Sequence, residues 1–430
     1  MGIFQEDSEI CASRLIKLWV AEGFLKPLSG KSLEEAEGMY LKALVDRNLI
    51  CVQREEPKGN VKSYGIHDLV RELCVRKAHE ENFLFVKEWY FPRDILLRRV
   101  CAHNFQDVDA SLNQMPLARS FMFTGAVSRE ILLSRVISTL KLLRVLDILG
   151  IRLNEFPTEI LQLVNLRYLA LTTRSPLPSS ISRLWNLQIL IVKAISFPPG
   201  PHKVTPEILD MTRLRQIKFK RTYIWYENYH VVQDQLQSLS TVAISHITDR
   251  ILQALTPNLK KLGIFCDEEL DRVRDLYYLQ QLHTLKCRSF HDGGNLLSNL
   301  IFPHSLKKLT LRDCGILDSD TNRIGKLPNL EILKLQGCQF VSRKWESNEG
   351  DEFCQLRFLV MEKLNLTYWA PHFPRLEHLV IRQCSDLKEI PLGIKDIPTL
   401  EVVEVHEETT AFALGMVTLE VRLPLHCLYK

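Results

Sequence analysis

The chain has 430 residues, enough for two or more structural units, with 46% hydrophobic and 25% charged residues, an ordinary globular balance. A formal net charge of +4 is too small at this length to argue for nucleic acid or an anionic membrane as partner. No apolar run approaches the roughly 18 residues that span a bilayer, MGIFQEDSEI is no signal peptide, and eleven cysteines without a C-x-x-C suit a reducing interior, so the expected location is cytoplasmic.

From the N-terminus, Ser8 to Ala21 has helical spacing with Ile10, Leu15, Leu18 and Trp19 inward. Ser32 and Glu35 form an S-x-x-E capping box that opens a second helix to about Arg47. LICVQRE and VKSYGI are expected as two strands around the turn PKGN. In YGIHDLVRELC, the residues Ile66, Leu69, Val70, Leu73 and Cys74 fall on one face of a third helix. His67 and Asp68 sit at its entry, where backbone N–H groups lack partners and the helix dipole is positive. Helices followed by a hairpin point to a winged-helix domain over 1–86. From Ser32 to Arg47 the acids Glu34, Glu35, Glu37 and Asp46 outnumber Lys42 and Arg47, which opposes DNA contact.

A repeat then decides the architecture. Twelve LxxLxL phrases lead with Leu143, Leu166, Leu187, Leu214, Leu239, Leu259, Leu282, Leu306, Leu330, Leu356, Leu376 and Leu400, at steps of 20 to 27 residues. That period is the one of leucine-rich repeats, so a solenoid with a parallel sheet on its concave face is expected over 141–406. Residues 87–140 are a linker and N-terminal cap, or carry degenerate turns in LRRVCAH and LARSFMF. Residues 407–430 form a cap or an atypical tail. FPTEI, LPSSI and IPLGI place a Pro that ends a strand before apolar residues turn inward. Cys314, Cys338 and Cys384 occupy the Asn/Cys position of their repeats, where a buried thiol is the ordinary occupant. The fold class is α/β.

Other chemistry-bearing patterns fail. DSDTN at Asp318 imitates a calcium loop, but Arg323 stands at the required Gly and Asn329 at the bidentate Glu. HEETT at His406 lacks a second zinc-binding His. GKS at Gly30 is no phosphate loop, because Leu25 stands where its first Gly belongs. Neither a G-x-S-x-G nor a Cys–His nucleophile pattern occurs. No enzyme, no metal and no cofactor are expected in this chain.

RLIKLWVAEGFL, YLKALVDRNLI and HDLVRELCVRKAHEENFL resemble the winged helix of plant intracellular immune receptors, the nucleotide-binding leucine-rich-repeat proteins. The late-blight resistance type with a coiled-coil N-terminus is the nearest likeness. IHD matches that family's Met-His-Asp motif with Ile66 replacing Met. The resemblance implies that His67 senses the phosphate of ADP in a full-length relative, with Asp68 as its structural partner. On this chain alone the two are helix-start polar residues. The nucleotide-binding core and its P-loop are absent from the sequence, so ADP or ATP is expected only in full-length relatives. The implied function is pathogen effector recognition and autoinhibition through protein contacts, leading to a hypersensitive defence response. The implied partners are the nucleotide-binding domain of a related receptor, a pathogen effector or a guarded host protein. A generic leucine-rich-repeat adaptor is the alternative, and a DNA-binding winged helix the weaker one.

Two surfaces are candidates for partner contact. Residues between the leucines point out of the solenoid, which aligns Arg215, Lys218, Lys260, Lys261, Lys286, Lys307 and Lys308, with Arg288 and Arg312 just beyond their strands. Asp267 and Asp313 are the nearby acids. This stripe either steers an acidic partner or is a solvated face. The insertion RTYIWYENYH carries Tyr223, Trp225, Tyr226 and Tyr229, which either anchor a partner or pack over the solenoid edge.

Overall fold

A computed structural model describes residues 2–4, 8–25, 33–55, 61–87, 98–103, 116–125, 133–194, 202–204, 206–224, 233–254, 258–266, 268–290, 296–346, 353–370, 372–388 and 390–405. The chain divides into two compact units, Met1–Lys220 and Arg221–Lys430.

The first unit opens with a winged helix. Ile10–Cys11 is a short strand that pairs antiparallel with Val61–Gly65, which pairs with Cys51–Glu55. The expected first helix therefore starts late. It runs Ala12–Glu22 (α1), because Ile10 is taken into the sheet opposite Tyr64. Ala12, Leu15, Leu18 and Ala21 are its buried stripe. Gly23, at φ +83, ends the helix by donating its N–H to the carbonyls of Trp19 and Val20. The second helix is Leu33–Asp46 (α2), and its expected Ser32 cap and the PKGN turn lie outside the described residues. The third is Asp68–Glu80 (α3).

The strands Phe85–Lys87, Arg99–Ala102, Ser120–Phe123, Val145–Leu153, Tyr168–Thr173, Ile189–Ala194 and Gln216–Ile224 follow as a parallel ladder. LRRVCAH and LARSFMF thus carry rungs of the same ladder. After Val145–Leu153 and Tyr168–Thr173, the prolines Pro157 and Pro178 precede single 3-10 turns, Thr158–Gln162 and Ser179–Arg183, that bury Ile160 and Ile181. Proline supplies a preset φ and needs no N–H partner there.

The second unit continues the same construction with Ser238–Ala243, Lys261–Cys266, Thr284–Ser289, Lys308–Arg312, Ile332–Gln336, Phe358–Glu362, His378–Arg382 and Val402–Val405. Several of its rungs end on a left-handed residue at one equivalent position, Asp313, Gly337, Lys363 and Gln383. The next residue, Cys314, Cys338, Leu364 or Cys384, then drops into the core.

One repeat is phased differently from its sequence reading. Leu236, not Leu239, heads it: the Gln237 carbonyl accepts from the N–H groups of Lys260 and Lys261, as the Lys260 carbonyl does from His283 and Thr284. The steps on either side become 22 and 23 residues instead of 25 and 20. A one-residue bulge between Leu239 and Val242 hides the phase. Thr241 takes φ +64 in that bulge, an unusual conformation for a β-branched residue.

The expected C-terminal cap or tail, 407–430, lies outside the described residues, as does His406.

Candidate functional site

The winged helix lies on the first repeats. Along a strand, side chains alternate between faces, so Leu146 and Ile148 enter the solenoid while Val145, Asp147 and Leu149 face the other way. Over the first rungs of the first unit that second face is covered. Leu15, Leu18 and Ala21 of α1 share one apolar cluster with Met122, Val145, Tyr168, Ala170 and Ile189 of successive strands. Each leucine so buried contributes roughly 1.5–3 kcal/mol.

Polar contacts give this apolar interface its register. The Arg14 guanidinium donates to the Asp147 carboxylate through Nη2 at 2.7 Å and Nε at 3.2 Å, and the Tyr168 hydroxyl donates to the same oxygen at 3.3 Å. The Asp147 side chain has no solvent exposure, whereas that of Arg14 keeps 33%. Burial works against the Arg14 charge, but Asp147 outweighs it and the Arg14 pKa is raised. Burial, reinforced by the Asp147 charge, pushes the Tyr168 hydroxyl well above its usual range. A second tie joins Glu22, at the end of α1, to Arg99 at 3.0 Å. The Arg99 guanidinium also lies over the rings of Phe24 and Phe83, at 4.7 and 4.3 Å. Burial raises the Glu22 pKa against the pull of Arg99, Arg144 and Arg119. The Cys101 thiol, which donates to the Ile3 carbonyl at 3.3 Å, is pushed up to about 12 by burial. Sequence reasoning missed this interface. Its only signal is an acid, Asp147, at an alternating position where the neighbours are apolar.

His67 and Asp68 are together at the start of α3, and both are exposed. The His67 side chain makes no capping hydrogen bond; its backbone carbonyl accepts from Arg71 at 2.8 Å. The expected apolar face of α3 is split: Ile66 joins the core and Val70 packs against it, while Cys74 and two leucines face outward. Leu69 is 72% exposed and Leu73 47%, while Arg71 is buried and donates to the Phe4 carbonyl at 2.8 Å. The His67 corner therefore carries an uncovered apolar helix face beside an exposed imidazole.

Of the expected cationic stripe, Arg215 and Lys218 fall in the first unit, half-buried and exposed respectively. In the second, register places Lys261, Thr284 and Lys308 side by side, then Lys286 beside Thr310, then Arg288 beside Arg312. Lys260, His283 and Lys307 form the row just before the strands. Burial and then the charges of Lys307 and Lys260 lower the His283 pKa. The stripe is partly neutralised: Arg288 pairs with Asp313 at 2.9 Å, and Arg312 donates to Gln336 at 2.7 Å. Asp267 lies outside the described residues. So do Trp225, Tyr226 and Tyr229, while Tyr223 belongs to the strand Gln216–Ile224.

Cys314, Cys338 and Cys384 are buried, each with its thiol directed at the carbonyl two residues back. Among the described residues no three His, Cys, Asp or Glu side chains are grouped to hold a metal. The DSDTN stretch is a helix start, Asp318–Gly325, in which Asp320 accepts from the Leu317 N–H and the Ser298 hydroxyl. No helix of the described residues is long and apolar enough to cross a membrane.

Two family models match the chain: "Disease resistance protein Winged helix domain" over residues 3–74 and "Leucine-rich repeat region" over 125–418. Among curated proteins it is 34% identical over 436 residues to the late blight resistance protein homolog R1B-16 of Solanum demissum. It is 32% identical over 445 residues to late blight resistance protein R1-A of the same species. Each alignment covers 94% of this chain, with 33% and 34% of the relative. The chain spans about a third of the length of these curated relatives. Among solved structures, the leucine-rich-repeat protein LIC12759 of Leptospira interrogans matches 78% of this chain and 93% of its own, at 17% identity and a TM-score of 0.39.

Proposed function

The chain belongs to the plant disease-resistance family of late blight resistance proteins, with a winged helix and leucine-rich repeats, and we propose that it acts in an immune receptor as a non-catalytic module of autoinhibition and effector recognition. The observation that carries this reading is the packing of α1 across the first repeats, fixed by Arg14 and Asp147. A winged helix held on the repeats is a part that a partner can hold down or release. The cationic rungs of the second unit offer the surface for that partner, either an acidic pathogen or host protein or the nucleotide-binding region of a related receptor. In a complete receptor in the cytoplasm, His67 faces the phosphate of ADP and stabilises the resting state, and Leu69 and Leu73 seat the nucleotide-binding domain. The chain alone holds no nucleotide, since one imidazole at a helix start contributes only about 0.3–1 kcal/mol toward an anion.

The test is capture of a purified nucleotide-binding domain from a related receptor. Binding that Leu69→Ser with Leu73→Ser weakens at least tenfold supports the reading, and equal capture by both forms refutes it. In a full-length relative, His67→Ala should release ADP faster and raise resting activity. Unchanged ADP retention removes His67 from the sensor role.

A further inference from the structure

Four arginines of the first unit stand at one position in successive repeats. Arg119 donates its backbone N–H to the Arg98 carbonyl at 2.7 Å, Arg144 to Arg119 at 2.6 Å, and Arg167 to Arg144 at 2.8 Å. Each follows the residue that heads its repeat, and rungs lie about 4.8 Å apart, so the row spans roughly 14 Å. Arg98 is exposed and the other three are half-buried. None of the four has a side-chain hydrogen bond or ion pair to a described residue. Glu22 feels Arg144 and Arg119, but its carboxylate bonds Arg99. Like charges stacked at this spacing repel one another, and Glu22, a single carboxylate shared with Arg99, offsets only part of the row's charge.

A second row runs beside it. Leu117, Leu142, Val164 and Trp185 are 39%, 40%, 45% and 55% exposed, and each stands one or two positions before the head of its repeat. The equivalent positions of the second unit show how the two rows relate. There Asn329, Gln355 and Arg375, before the heads, and Glu331, Arg357 and Glu377, after them, line one groove of about 580 Å³. In the first unit the same register carries a largely aliphatic row before the heads and the arginine row after them.

We propose that this rim of the first unit is a docking groove for an acidic, amphipathic polypeptide segment of a partner protein. An extended chain presents same-face side chains every ~6.8 Å, so three carboxylates match the length of the row. Guanidinium and carboxylate pair through two parallel hydrogen bonds. Exposed apolar side chains rimmed by charge are the mark of a protein partner. Single-stranded nucleic acid would call instead for a series of aromatic platforms. The apolar row is aliphatic except for Trp185, whose ring already lies under Arg213 at 5.0 Å.

The experiment measures fluorescence anisotropy of the full chain with three labelled probes: a 12-residue peptide alternating Glu and Leu, the same peptide with Gln for Glu, and a 12-nucleotide oligo-dT. Two variants are compared with the wild type, Arg98→Gln with Arg167→Gln, and Leu142→Ser with Trp185→Ser. These sites are not buried, and circular dichroism checks that both variants fold. The Glu–Leu peptide should bind the wild type at least tenfold more tightly than the Gln–Leu peptide. Its affinity should drop at least tenfold in the arginine variant and at least threefold in the apolar one. No binding of the Glu–Leu peptide at 0.1 mM protein overturns the proposal, as does binding that both variants retain. Tighter binding of oligo-dT, insensitive to Leu142 and Trp185, overturns it in favour of nucleic acid.

Discussion

The Asp147 carboxylate, buried to the last atom, meets the guanidinium of Arg14 at 2.7 Å, although the two residues are 133 positions apart in the chain. Their contact joins the first helix to the repeats, and the cost of breaking it is uneven. Arg14 can reach water through its exposed third, but Asp147 cannot. Arg14→Met should therefore leave a stranded carboxylate and destabilise the first unit by about 3 kcal/mol. Arg14→Met with Asp147→Leu should recover most of that loss. Urea denaturation of the two variants checks the difference, and equal loss in both would show that the pair is incidental to the docking.

Gly263 is expected to tolerate no side chain. It pairs across from the bulge in Ser238–Ala243, and a Cβ there would lie 2.9 Å from the Thr241 nitrogen and 3.4 Å from the Ser240 Cα. Both obstacles are backbone, so Gly263→Ala should cost about 1–3 kcal/mol. Thr241→Gly relieves the left-handed strain and should stabilise by about 1 kcal/mol. Thermal melts of the two variants should move in opposite directions.

His283 sets a pH response. Its folded pKa lies below the ordinary 6.5 because burial, Lys307 and Lys260 disfavour the imidazolium. The unfolded chain thus binds the proton more readily, and stability is lost as pH falls through 6.5 toward the folded value. His283→Gln should flatten that decline. Lys307→Gln should move the His283 titration upward in an NMR measurement, and an unmoved titration would separate the two residues.

The cationic rungs predict a kinetic signature. Reversing Lys260, Lys286 and Lys307 to Glu should slow association with an acidic partner at least tenfold at low salt and flatten its salt dependence. Asp313→Asn should do the reverse by freeing Arg288 from its 2.9 Å pair. Stopped-flow association rates at two salt concentrations decide the matter. A rate unchanged by the triple reversal would leave the stripe a solubility surface.

The repeats were legible because each leading leucine is buried for the same reason at the same phase. Leu143, Leu166 and Leu187 are all fully enclosed. Phase failed only where Thr241 adds a residue to a rung, since a bulge changes spacing without changing composition. In α3 the spacing marked an apolar set but could not say which members meet the core: Ile66 and Val70 do, and Leu69 and Leu73 do not. His67 and Asp68 were found by a local pattern. The Arg14–Asp147 tie was not, because no local pattern links partners so far apart. The arginine row was not read from the sequence, because Arg98 and Arg119 lie before the first clear LxxLxL phrase and only backbone pairing aligns them with Arg144 and Arg167.

The covering of the first repeats by α1 also has a consequence for biosynthesis. Leu15 and Leu18 leave the ribosome long before the strand that contains Ile189. At about 5–20 residues per second, the interval is roughly 8–35 seconds. During it the apolar stripe of α1 has only the winged helix's own Leu41, Ile50 and Tyr64 and the rungs already made to rest on. Newly made chains are thus exposed to aggregation for as long as the first repeats take to emerge, which makes holding chaperones and slowed translation near residues 145–190 natural levers on yield.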